Sequence, residues 1–109
     1  MPDVHKNFAY STVATAPSPA ASGTSLIVAA GQGSYFPTIT GSQSFNATIW
    51  PTGSQPTSAN AEIVTVTAIS TDTFTITRAQ EGTAARTIVV GDQIAATITA
   101  KTLTDIEAI

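Results

Sequence analysis

Seven carboxylates and one histidine are the groups through which this 109-residue chain could do acid–base or metal chemistry. Their spacing supports neither. A catalytic carboxylate pair must be held a few ångströms apart on either side of one bond, whereas Asp3, Asp72, Asp92 and Asp105 each fall where aspartate serves a turn or a helix cap. The single histidine, His5, lies in an amino-terminal stretch without structural signals, so a Ser-His-Asp arrangement would require that terminus to fold back into a site. Neither zinc nor calcium ligand spacing is present. With no cysteine, thiolate metal sites, disulfides and cysteine nucleophiles are excluded. Gly31 and Gly33 lack the lysine and helix that complete a phosphate-binding loop, and Asn46-Ala47-Thr48 matches a glycosylation acceptor only formally, inside an expected strand. The expectation is a protein with no enzymatic activity, no metal and no cofactor.

Binding chemistry is equally restricted. The four basic residues Lys6, Arg78, Arg86 and Lys101 are scattered and the net charge is −3, so no phosphate-neutralising stripe forms and direct nucleic-acid binding is not expected. No stretch approaches the ~18 apolar residues of a membrane helix, and Met1-Pro2-Asp3-Val4-His5-Lys6 lacks the pattern of a signal peptide. Synthesis in the cytoplasm as a soluble chain is expected, with no membrane partner. Tyr35, Phe36 and Trp50 could form a stacking platform for a glycan, although Trp50 reads more simply as a core or edge residue. Arg78 and Glu81 could bridge across a tight connection or pair with a neighbouring subunit. An exposed pair of that kind contributes at most about 1 kcal/mol.

The elements that would position these residues are strands. Only 10% of residues are charged, against about 25% in an average soluble domain, and serine, threonine and alanine fill the difference. Residues 24–30 read as a strand, and so do residues 45–50, which end at Pro51. In the region 62–69, Val64, Val66 and Ala68 share one face; after a turn at 70–72, Phe74 and Ile76 share a face in 73–77, making a hairpin. Two further strands are expected over 87–90 and 93–99. Residues 12–23, rich in proline and small side chains, read as an arm or long loop, and Thr102 is placed to cap a short helix carrying Leu103, Ile106 and Ile109 on one stripe. The expected fold is all-β, a small sandwich or barrel of about six to eight short antiparallel strands. An extended arm over 1–23 precedes a β domain over 24–100, and a tail or short helix over 101–109 follows it.

Within that framework the segment 73–85, with its Thr77-Arg78-Ala79-Gln80-Glu81-Gly82-Thr83 core, resembles a strand-and-turn pattern of tailed-bacteriophage virion proteins, particularly domains near fibres and other surface appendages. The blocks 7–14 and 91–101 are similar to the opening and closing parts of such domains. The resemblance implies a virion structural protein, either a capsid decoration protein or a tail or fibre adaptor, whose partners are capsid or tail components. It also implies a homo-oligomer, for which a trimer is the favoured state. The expected assembly contacts are Phe8, Tyr10, Arg78, Glu81, Leu103, Ile106 and Ile109.

Overall fold

The structure, a computed structural model, describes residues 4–107 apart from the side chains of residues 102 and 105–107. Six strands form, β1 (Tyr10–Thr15), β2 (Ser25–Val28), β3 (Phe45–Trp50), β4 (Glu62–Ser70), β5 (Thr73–Gln80) and β6 (Gln93–Ala96), followed by one helix, α1 (Ala100–Glu107). Each strand pairs antiparallel with two neighbours, and the order β1-β2-β5-β4-β3-β6 returns to β1. The fold is therefore a closed all-β barrel, an arrangement that leaves no strand edge exposed for pairing.

Period-two alternation builds the interior. In β3 the residues Phe45, Ala47 and Ile49 point inward and lie opposite Val66, Val64 and Glu62 of β4. Phe36, from the loop after a 3-10 turn, joins Phe45 and Phe74 in an aromatic cluster with ring centroids 4.8 to 6.5 Å apart. The expected hairpin is present as β4 and β5, and Thr71 takes a left-handed φ of 59° at its turn.

Four expectations are corrected. The expected arm over 1–23 is, from residue 10 on, part of the barrel: β1 is a barrel strand with Ser11 and Val13 buried, and residues 16–24 then fold over one barrel end with Pro17 and Gly23 buried. Small side chains gave β1 a weak hydrophobic signal, yet small side chains are what a narrow barrel accommodates. Residues 87–90 are loop, because Asp92 accepts the Val89 N–H and curls the chain, leaving Ile88 buried and Val89 and Val90 exposed. Ala68 is exposed, since a bulge between Val66 and Ala68 sets two β4 residues against one of β5 and reverses the alternation. Strand β6 stops at Ala96, and residues 97–99 leave the ladder.

The 3-10 turn is held by Asp72, whose two carboxylate oxygens accept the N–H groups of Gly31 and Gly33. A Cβ on Gly33 would fall inside the Thr71 carbonyl oxygen, so backbone would have to move. Gly33→Ala should lower stability by about 1–3 kcal/mol, read as a reduced urea midpoint with an unchanged m-value.

Candidate functional site

The inward face of the barrel carries charge at one end. Alternation that buries Val64 and Val66 also buries Glu62, and alternation that buries Phe74 and Ile76 turns Arg78 inward, leaving their side chains 0% and 8% exposed. Arg78 donates Nε to Glu62 Oε2 at 2.8 Å and Nη2 to Glu62 Oε1 at 3.0 Å, a bidentate pair. Its remaining N–H groups reach the carbonyls of Ala20, Gly23 and Arg86. Glu62 also accepts the backbone N–H groups of Ala79 and Arg86. Beside this pair, Arg86 donates to Asp92 and to the carbonyl of Asn60. Burial alone would raise the Glu62 carboxyl; the hydrogen bond from Arg78, the amides of Arg86 and Ala79, and the Arg78 charge outweigh it and hold the group below the ordinary glutamate range.

These four side chains tie the loops 16–24, 51–61 and 81–92 to the strands. Glu62, Arg78 and Asp92 are buried and Arg86 is partly exposed, and each charge is bonded to a neighbour within the chain. Arg78 and Glu81 do not pair with each other: Arg78 is engaged with Glu62, which removes it from the surface expected to make assembly contacts. Glu62 is not among the residues expected to form a site. Its signal was its position, two residues before Val64 in the same alternation, opposite an arginine two residues after Ile76.

The turn leaving β5 is tightly wound. Ala79 and Glu81 take left-handed φ values of 53° and 55°, conformations that cost non-glycine residues free energy unless their surroundings impose them. Here Thr83 imposes one side, its hydroxyl accepting the Ile63 N–H and donating to the Gln80 carbonyl. The Ala79 N–H bonded to Glu62 imposes the other. The result sends Arg78 into the barrel and Glu81 along its outside, where Glu81 Oε2 accepts from Asn46 Nδ2 at 3.1 Å.

The segment after β6 runs over this outer face. Thr97 donates its N–H to the Asn46 carbonyl and shares a hydroxyl hydrogen bond with Thr48, and Asn46 Nδ2 also reaches the Thr99 hydroxyl. Helix α1 then begins at Ala100 rather than after Thr102, so Thr102 lies within the helix and does not cap it.

Of the remaining expected contacts, Phe8 is 94% exposed, Tyr10 is exposed with its hydroxyl donating to Gln93, and Leu103 is exposed on α1. The side chain of Ile106 and all of Ile109 lie outside the described residues, as do Asp3 and the side chain of Asp105. The β1–β6 register, Tyr10 opposite Ala95 with Ala96 donating to the Ala9 carbonyl, brings Phe8 and exposed Ile98 to the same end of the ladder. The aromatic platform does not form, because Phe36 is buried in the core and Trp50 is half-buried with its indole N–H donated to the Ser54 carbonyl. An open cleft of about 570 Å³ is lined in part by Lys6, Ser34, Phe36, Ile39, Ile69 and Asp72. The Lys6 ammonium donates to the Ser34 carbonyl and the Asp72 carboxylate holds the 3-10 turn. Among the described residues no three His, Asp or Glu side chains are grouped to hold a metal, and no helix is long and apolar enough to cross a membrane. No family model and no curated protein matches the chain.

Proposed function

We propose that this chain is a non-enzymatic structural protein of a tailed-phage particle, a capsid decoration protein or a tail or fibre adaptor, that assembles through protein–protein contacts. The resemblance of segment 73–85 supports the phage assignment. The disposition of charge and apolar surface supports assembly. Glu62, Arg78, Arg86 and Asp92 are turned into the fold, and Lys6 and Lys101 are the exposed basic residues. A surface this poor in charge lets identical copies sit close without strong repulsion. The observation that carries the reading is Phe8, a phenylalanine 94% exposed two residues before β1, with Tyr10 exposed at the start of β1 and Ile98 exposed two residues past the end of its partner strand β6.

Purified particles whose genome encodes the chain should contain it at stoichiometric level by mass spectrometry, and its absence from them would overturn the phage assignment. In solution the isolated protein should sediment as an oligomer, with a trimer expected. Phe8→Ser combined with Ile98→Ser should weaken association about tenfold or more, since apolar side chains at the centre of an interface are worth about 1.4 kcal/mol or more. Thermal stability of the monomer should barely change, because both side chains are exposed.

A further inference from the structure

We infer that Glu81 is a positioning residue that docks the carboxy-terminal segment on the barrel and starts helix α1, so that the 78–83 turn sets the direction in which the helix leaves. The geometry is specific. Glu81 Oε1 accepts the backbone N–H of Lys101 at 3.2 Å, one residue into α1, while Oε2 is held by Asn46 Nδ2. A carboxylate at this place accepts a first-turn N–H and complements the positive end of the helix dipole. The helix has no acidic residue of its own in that turn.

Helix α1 needs such help. Eight residues are too few for a helix to persist in water by itself, where about 12–15 are marginal. The segment leading to it is laid on β3 by the Thr97–Asn46, Thr97–Thr48 and Asn46–Thr99 hydrogen bonds, and the Glu81 carboxylate lies where that strap becomes helix. Asn46 is fixed in turn by Thr65, whose hydroxyl donates to Asn46 Oδ1. The left-handed conformation of Glu81 therefore has a use: it aims the carboxylate back across the sheet instead of into solvent. Glu81 thus serves assembly without touching a partner, by presenting Leu103 in a fixed orientation. That last step rests on the association proposed above, whereas the docking of α1 does not.

Amide hydrogen exchange by NMR on the full chain tests the docking directly. In Glu81→Ala the Lys101 and Leu103 amides should exchange about fivefold faster or more, the factor equivalent to losing one hydrogen bond of about 1 kcal/mol. Glu81→Gln, which keeps one acceptor oxygen but no charge, should fall between wild type and alanine. Amides of Val64 and Ile76 inside the barrel should be unaffected. Unchanged exchange at Lys101 and Leu103 would overturn the inference, and so would an equal acceleration at Val64 and Ile76, which would mean general destabilisation. Sedimentation of the same variants separates the two claims: a wild type that never associates sinks the assembly reading, while the exchange data still decide the role of Glu81.

Discussion

Arg78→Met should cost about 3–5 kcal/mol of stability, the range found when one partner of a buried ion pair is removed. This is a large part of what holds a small domain folded, since total stabilities are about 5–15 kcal/mol. An exposed arginine in a turn would cost at most about 1 kcal/mol, so the measurement separates the two placements cleanly. Two losses add up in the buried case. Glu62 is left with a charge inside the barrel, and the carbonyls of Gly23 and Arg86 lose the Arg78 donor, while that of Ala20 keeps the Ile88 N–H. For that reason the double variant Glu62→Gln with Arg78→Met should recover only part of the loss: it removes the stranded charge but leaves the Gly23 and Arg86 carbonyls without the Arg78 donor. Chemical denaturation of the wild type, both single variants and the double variant checks this, and a loss under 1 kcal/mol for Arg78→Met would place Arg78 at the surface after all.

Acid should unfold the protein through Glu62. The folded carboxyl titrates below its unfolded value of about 4.3, because Arg78 and two backbone amides favour its charged form more than burial opposes it. A depressed folded value means that the unfolded chain binds the proton first. The stabilisation is fully present above the ordinary glutamate range and is lost as pH falls through it toward the folded value. Wild-type stability should therefore drop below about pH 4, while Glu62→Gln, already destabilised at neutral pH, should show a shallower acid limb. The difference between the two curves isolates Glu62 from the other carboxylates. Parallel curves from pH 7 down would show that Glu62 does not link protonation to folding.

Both expectations turn on residues whose role was half-visible beforehand. Alternation through Val64–Val66 and Phe74–Ile76 located the hairpin, and extended by two residues it would have placed Glu62 and Arg78 on the inner face. Charge argued against that extension, because charged side chains are rarely buried unless paired, and the pairing joins residues 16 positions apart across a ladder. Phe8, Tyr10 and Leu103, expected contact residues, are exposed. The partners of Glu81, Asn46 and the Lys101 amide, lie 35 and 20 positions away and depend on the path taken after β6.

By itself the sequence determined that this protein is built of short antiparallel strands, and it located the β4–β5 hairpin, because period-two spacing of β-branched and aromatic residues and proline–glycine punctuation are local properties. Tertiary structure alone decided that the sheet closes, that β1 is one of its staves, and that a bulge turns Ala68 outward, since each depends on which strand lies beside which. It likewise decided that Arg78 points in and Glu81 points back toward α1. Two left-handed residues flanking Gln80 separate those directions, and only surrounding hydrogen bonds from distant parts of the chain can hold them there.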